Sequence, residues 1–135
     1  MTFYEPVEEA KINLMFMTRG EMKQRTKVYA NRIVKFCSAL PVNWIPQTLG
    51  KQLLRSGTSV GANYRAVCRA KSHSDFINKL RIVEEECDES SFWMELLEEN
   101  DYVSASRLAS LTKEANEILA IVMASAKTAR SSSRT

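Results

Sequence analysis

The feature that most constrains this chain is a long proline-free stretch carrying apolar residues at helical spacing. All three prolines of the 135 residues, Pro6, Pro41 and Pro46, lie in the first third. Because proline removes a helical hydrogen bond and clashes with the preceding turn, residues 47–135 are free to be helical throughout. The clearest repeat in this stretch alternates steps of four and three, which predicts a helix that buries one face. Its members are Phe76, Leu80, Val83, Cys87, Ser90, Met94 and Leu97.

Three further segments show comparable periodicity, and no segment has a strand pattern. Short links make neighbouring helices antiparallel, so the sequence predicts an all-α, up-down-up-down four-helix bundle. The expected helices span about Glu21–Ala39, Pro46–Lys71, Ser72 or Ser74 to Asn100, and Ser104 or Ser106 onward. Buried stripes are expected at Val28 or Tyr29, Ile33, Phe36 and Leu40; at Leu49, Leu53, Val60, Tyr64 and Val67; and at Leu108, Leu111, Ala115, Ile118, Val122 and Ser125.

The second helix carries a patch of small residues between Leu53 and Arg69. Gly57 and Gly61 stand four residues apart, on one helix face. Glycine costs roughly 1 kcal/mol of helix propensity relative to alanine, so a chain accepts it where another backbone must approach closely. A glycine-rich phosphate loop would need a preceding strand, and none is visible. The pair therefore predicts a close helix crossing.

Charge is strongly segregated along the chain, although the net charge is only +3. Residues 1–10 hold three acids and no base, whereas residues 11–81 hold fourteen Lys and Arg against two acids. Residues 82–101 hold nine acids and no base, and residues 102–135 have five bases against two acids. Such asymmetry is typical of proteins that bind charged partners. The apolar run Ile118–Ala124 also predicts a second contact for the fourth helix, with another subunit.

No enzyme site emerges from the residue types. A di-iron bundle needs paired Glu-x-x-His units, and the chain has one histidine, His73, and no such unit. The three cysteines form no C-x-x-C pair, so reduced, mostly buried thiols without an intramolecular disulfide are expected. The acidic residues 84–89 could hold Mg²⁺, but they point around the helix, so a solvated face or a subunit contact is favoured. The sequence predicts no cofactor, no metal and no catalytic residue.

Two long motifs match a known family. The run K-Q-L-L-R-S-G-T-S-V-G-A-N-Y-R-A-V-C-R-A-K-S is followed by D-F-I-N-K-L-x-I-V-E-E-E-x-D-E-S-x-F-W-x-E-L-L. Together they resemble the bacterial four-helix-bundle proteins encoded in intervening sequences of ribosomal RNA genes, including 23S rRNA. The match extends over about Met22–Lys127. At the end of the second helix, where many members have a carboxylate, this chain has Tyr64 and Arg65.

The resemblance implies an antiparallel bundle assembled into a homopentameric ring. It also relates the chain to accessory proteins of diversity-generating retroelements, which are basic, partner a reverse transcriptase and bind nucleic acid. The leading expectation is therefore a non-enzymatic, oligomeric protein that binds RNA or DNA through a basic surface. The alternative is a protein-binding scaffold whose acidic and basic zones meet across subunits. A weaker alternative is a helical-bundle ribonuclease that uses Arg69 and His73.

The basic residues near the end of the second helix and the start of the third are the candidates for nucleic-acid binding. A bundle places these two segments side by side, so Arg65, Arg69, Lys71 and Lys79 are expected to cluster at one end. The full set of candidates is Lys51, Arg55, Arg65, Arg69, Lys71, Lys79 and Arg81.

The sequence also suggests where the domain begins and ends. Residues 1–20 are interpreted as an N-terminal extension, residues 21–130 as the bundle and residues 131–135 as a disordered tail. The N-terminus is acidic, and its longest apolar run, Leu14–Met17, is too short to cross a membrane. We therefore expect a cytoplasmic protein without a signal peptide or membrane contact.

Overall fold

The computed structural model describes residues 17–132, and every regular element within that range is an α-helix. The helices are α1, Arg19–Ser38; α2, Trp44–Cys68; α3, His73–Glu99; and α4, Ala105–Ser132. Helix α1 packs on α2, α2 on α3 and α3 on α4, while α1 and α4 approach each other over a smaller region. The links 39–43, 69–72 and 100–104 are short, so this is the predicted all-α, four-helix arrangement.

Helix α1 begins two residues earlier than expected because a capping box fixes its start. The backbone N–H of Glu21 donates to Thr18 Oγ1 at 3.0 Å, and the N–H of Thr18 donates to Glu21 Oε1 at 2.7 Å. These two bonds satisfy donors that the first helical turn leaves without intrahelical partners. Ser72 caps α3 as predicted, since its Oγ accepts the N–H of Asp75 at 3.0 Å.

The turn between α3 and α4 has a Schellman arrangement. The N–H of Tyr102 donates to the Leu97 carbonyl at 2.9 Å, and that of Asp101 to the Glu98 carbonyl at 3.0 Å. Asp101 has a φ of 63°, the left-handed conformation that this motif requires. Aspartate tolerates this conformation better than most residues, so the turn forms without a glycine.

The core is formed by the predicted helix faces. The stripe on α3 is buried from Leu80 to Leu97. Tyr29, Ile33 and Phe36 supply the buried face of α1, and Leu40 is buried just beyond its end. Val28, the alternative to Tyr29, is 45% exposed. On α4, Ser125 is only half-buried and Ala126 is the buried residue at that level. The apolar spacing therefore identified most of the core, although Leu49 and Phe76 are only partly buried and Met22 and Ile121 were not predicted.

Trp44 and Ile45, an apolar pair between Pro41 and Pro46, do not close the end of the core. Trp44 is 78% exposed and Ile45 is 39% exposed, because they form the first turn of α2 rather than part of the link. Leu40 is the residue that closes this end, at 5% exposure. The adjacent Val42 is 94% exposed, so the α1–α2 corner presents apolar side chains to solvent.

The apolar run on α4 mostly faces the chain's own core. Ile118, Ile121 and Val122 are buried, whereas Met123 is 48% exposed. The run therefore needs a second contact only on the side of Met123. The predicted tail also begins too early, since α4 continues through Ser132 and residues 133–135 lie outside the described range. Residues 1–16 of the predicted extension lie outside it as well.

A charge clamp joins the first and last helices. Arg25 Nε donates to Glu114 Oε2 at 2.8 Å, and its Nη2 donates to Glu114 Oε1 at 2.9 Å and Glu117 Oε1 at 2.7 Å. The hydrogen bonds with Glu114 are the largest reason why the pKa of Arg25 is raised. Bidentate arginine–carboxylate pairs fix orientation as well as distance. The clamp thus links α1 to α4, which approach each other over a smaller region than the other helix pairs.

Candidate nucleic-acid interface

A basic concavity of about 580 Å³ lies between the middle of α1, the second half of α2, the 69–72 link and the start of α3. Its floor is made of small residues, among them Ala30, Gly61 and Ala62. Its basic residues are Lys27 from α1, Arg65 from α2, Arg69 and Lys71 from the link, and Lys79 from α3. The predicted cluster of Arg65, Arg69, Lys71 and Lys79 therefore forms.

Gly61 is the reason why α1 contributes to this concavity. A Cβ at position 61 would lie 3.1 Å from the carbonyl oxygen of Thr26 and 3.6 Å from the Cα of Lys27. The first distance is tighter than most real Cβ contacts, so the two backbones meet at the closeness that the glycine allows. Lys27 was not among the binding residues predicted from the sequence. The close crossing predicted at Gly61 indicated that another helix would pack there, but it did not identify the residue of α1 that would lie beside the glycine.

Four of the five bases have no ion-pair partner in the described chain, although the charge of Lys71 helps to lower the pKa of Asp75. Lys27, Arg65, Arg69 and Lys71 are exposed and form no ion pair within residues 17–132. Lys79 differs, because its Nζ contacts Asp75 Oδ1 at 2.6 Å and Oδ2 at 2.7 Å. The bond from Lys79 is the main cause of the lowered pKa of Asp75, followed by the bond from the Lys71 N–H.

The remaining sequence candidates lie elsewhere. Arg55 binds Glu86 and Glu89 on α3, so its charge is shared within the chain. Glu89 also accepts the Trp93 Nε1–H at 3.0 Å, the largest cause of its lowered pKa. Lys51 lines a small groove near the start of α2, and Arg81 is exposed but does not line the basic concavity.

The acidic residues of α3 do not gather into a metal site. Within residues 17–132, no group of three or more His, Cys, Asp or Glu side chains is placed to hold a metal ion. Glu86 and Glu89 instead face Arg55 across the α2–α3 contact. Part of the acidic helix thus pairs with Arg55 inside the chain, an arrangement that neither the solvated-face nor the subunit-contact interpretation predicted.

A second concavity, of about 570 Å³, lies on the other side of the 69–72 link. It is lined by Arg19, Lys71, His73 and Phe76, and by hydroxyl residues of α4 such as Ser125 and Thr128. His73 Nε2 lies 2.7 Å from the carbonyl oxygen of Ala129. Arg69 lines the basic concavity and His73 lines this one, so the two residues of the ribonuclease hypothesis do not converge on one site.

Family comparison gives the fold an assignment. The sequence model of the 23S rRNA-intervening sequence protein family matches residues 19–124. The chain belongs to this family. The basic concavity lies entirely within the matched residues, whereas Thr128 and Ala129 of the second concavity lie beyond them.

A solved structure supports the same assignment for this 23S rRNA-intervening sequence family member. It is a protein of unknown function from the S23 ribosomal protein family of Bacteroides thetaiotaomicron VPI-5482, with 37% sequence identity. The two chains align with a TM-score of 0.74, over 82% of this chain and 99% of the other. The comparison with curated proteins gave no match. Among residues 17–132, no helix is both long and apolar enough to cross a membrane.

Proposed function

We propose that this protein binds the phosphate backbone of RNA or DNA through its basic concavity, as a non-enzymatic, cytoplasmic homo-oligomer. The observation that carries the proposal is the convergence of Lys27, Arg65, Arg69 and Lys71 on one concavity without an ion-pair partner among the described residues. Binding of phosphates by lysine and arginine releases condensed counterions, which drives sequence-independent association. Such a cluster is a candidate footprint for a polyanion.

No aromatic side chain among residues 17–132 lines the basic concavity, which favours backbone recognition. Tyr64 is the aromatic residue nearest in sequence to the cluster, but it is only 6% exposed, and burial raises its pKa to about 12. Proteins that bind single strands commonly stack bases on exposed aromatic side chains. This concavity instead offers charged donors above a floor of alanine and glycine. We therefore expect weak sequence preference and strong salt dependence.

The test is a fluorescence anisotropy titration of structured RNA and of duplex DNA at about 50 mM and about 200 mM salt. The charge reversal Arg65→Glu/Arg69→Glu removes two phosphate contacts, so it should weaken binding and reduce the slope of log affinity against log salt by about two. The matched control is Lys51→Glu/Arg81→Glu, which makes the same charge change outside the concavity. Equal loss in both double variants, or no loss in the first, would contradict the proposal.

The oligomeric part of the proposal rests on exposed apolar residues and on the family resemblance. Val34 and Leu54 on the α1–α2 side, Ile82 and Phe92 on α3, and Met123 on α4 are between 37% and 49% exposed. A closed ring would cover such patches on each copy. We propose a homopentamer, and light scattering coupled to size exclusion measures it directly. A monomer mass at micromolar concentration would rule it out.

A reverse transcriptase is the proposed protein partner, by resemblance to the accessory proteins of diversity-generating retroelements. The test is co-purification with a reverse transcriptase encoded beside this gene, where one exists, with the Arg65→Glu/Arg69→Glu variant run in parallel. A protein-binding scaffold without nucleic-acid affinity is the second candidate function. The exposed apolar corner at Val42 and Trp44 favours a protein-binding scaffold. If neither RNA nor DNA binds, the scaffold becomes the favoured function.

A further inference from the structure

The second concavity has the composition of a phosphate site, and the proposed function does not use it. It lies between the start of α1, the 69–72 link, the start of α3 and the end of α4. At about 570 Å³ it is within the size range of small-ligand sites. Lys71 lines both concavities, so a chain bound in the first has a path to the second.

Its charged residues are all basic. Arg19, Lys71 and His73 line it, and no carboxylate among residues 17–132 does so. The guanidinium of Arg19 lies 4.7 Å from the centre of the Phe76 ring, a cation–π contact that holds this arginine in the concavity. A planar guanidinium can bind two phosphate oxygens at once.

The orientation of His73 leaves a second polar group for a ligand. A carbonyl oxygen can only accept, so His73 Nε2 donates to Ala129. Nδ1 forms no hydrogen bond within the described chain, and in the protonated ring it donates to a phosphate oxygen. The bond from His73 Nε2 and the one from Ser132 Oγ, at 3.1 Å, satisfy the Ala129 carbonyl at the end of α4. The same α4 segment presents the hydroxyls of Ser125 and Thr128 to the concavity.

We propose that the second concavity binds the terminal phosphate of the nucleic-acid strand whose backbone lies in the basic concavity. A terminal phosphomonoester carries up to two negative charges, whereas an internal phosphodiester carries one. A site with three basic side chains, hydroxyl donors and no lining carboxylate favours the more highly charged group. This inference rests on the proposed function, because the terminal phosphate belongs to the same nucleic-acid strand that the basic concavity binds.

The experiment uses the full chain and one RNA hairpin with single-stranded ends, prepared with 5′-phosphate, 3′-phosphate or only hydroxyl ends. A terminal phosphate should tighten binding to the wild-type protein by about tenfold, the scale of one charge-assisted interaction. The variants Arg19→Gln and Thr128→Glu should reduce that gain to less than about threefold. The first removes a donor, and the second places a negative charge in the concavity without removing a packed side chain.

Two controls separate this inference from the proposed function. Arg81→Gln, which removes an exposed base outside both concavities, should keep the full gain. Arg65→Glu/Arg69→Glu should weaken all hairpins while keeping the ratio between phosphate and hydroxyl ends. A gain with one end only identifies that end as the ligand. If hydroxyl-ended RNA binds and neither terminal phosphate adds affinity, the terminal-phosphate proposal is wrong and the proposed backbone binding stands. If no hairpin binds, both proposals fall.

Discussion

The Cα of Gly61 lies so close to the backbone of Thr26 that an added Cβ would be 3.1 Å from the Thr26 carbonyl oxygen. The close packing of α1 on α2 at this crossing also determines which basic residues lie together. It brings α1 onto α2 and thereby places Lys27 in the same concavity as Arg65. At Gly57, by contrast, an added Cβ would meet the side chain of Ile33, at 2.8 Å. Only at Gly61 is the opposing surface backbone, which cannot change rotamer to make room.

Gly61→Leu should therefore destabilise the protein by roughly 1–3 kcal/mol through overpacking. Thermal unfolding followed by circular dichroism measures the loss. Ala62→Leu is the matched control, because residue 62 is exposed and has space for the same side chain. An unchanged melting temperature for Gly61→Leu would mean that the crossing tolerates separation. A loss as large in Ala62→Leu would show that leucine is harmful for another reason.

The hydrogen bond between Tyr29 and Ser90 gives a second, asymmetric prediction. Their oxygens are 2.8 Å apart across the core, and Ser90 Oγ donates its proton to the Cys87 carbonyl at 2.8 Å. Tyr29 must then be the donor to Ser90. Burial raises the pKa of Tyr29, so its hydroxyl stays protonated.

Tyr29→Phe should cost about 0.5–1.5 kcal/mol, because Ser90 keeps its other partner. Ser90→Ala should cost more, about 1–3 kcal/mol, because it leaves a buried tyrosine hydroxyl without an acceptor. Urea denaturation of both variants gives the two free energies. The reverse order, or equal values, would contradict the donor assignment.

The Cys37 and Cys87 thiols should be poorly reactive in the folded protein. Burial raises the pKa of Cys37 to about 11 and is the main reason why that of Cys87 rises to about 12. At about pH 8, a thiol with a pKa near 11 has roughly one thiolate in a thousand, against roughly one in four for an unperturbed cysteine. Iodoacetamide labelling followed by mass spectrometry should modify these two cysteines slowly until denaturant is added. Fast labelling of Cys87 in the native protein would contradict this assignment.

Asp75 should weaken nucleic-acid binding, since it holds the charge of Lys79 within the chain. Asp75→Asn should tighten binding of structured RNA by about twofold to fivefold at low salt, the range expected for releasing one exposed ion pair. The amide can still accept the Lys71 N–H that Asp75 accepts at 2.9 Å. Lys79→Gln is the companion variant and should remove the effect of Asp75→Asn. Weaker binding by Asp75→Asn would mean that Lys79 does not face the ligand.

The same carboxylate gives a pH dependence with a definite sign. The pKa of Asp75 is lowered in the folded protein, so its stabilising contribution is present above the unfolded value, about 3.9, and is lost as pH falls through the folded value. Stability should therefore fall less between about pH 7 and about pH 3 in Asp75→Asn than in the wild type. Identical pH profiles would exclude a role for this carboxylate in acid unfolding.

The family resemblance and the local pattern together predicted most of the fold. Residues that are close in sequence were enough to predict the α3 stripe, the glycine crossing and a serine cap at the start of α3. The Thr18-x-x-Glu21 pattern is a capping-box signal for the start of α1, which the predicted start at Glu21 did not include. Trp44 and Ile45 show the limit of apolarity as a guide, since their burial depends on which residue closes the corner.

The sequence by itself determined the helices, their buried faces and the segregation of charge, because these depend on residues three or four positions apart. Only the tertiary structure decided which bases act together. Arg55 and Arg65 look equivalent along α2, yet Arg55 faces Glu86 and Glu89 of α3 while Arg65 meets Lys27 of α1. Helix spacing gives the face on which a side chain lies. Which residues lie opposite that face depends on how helices that are distant in sequence cross. The crossing therefore decides whether a basic side chain faces an acid or remains available to a ligand.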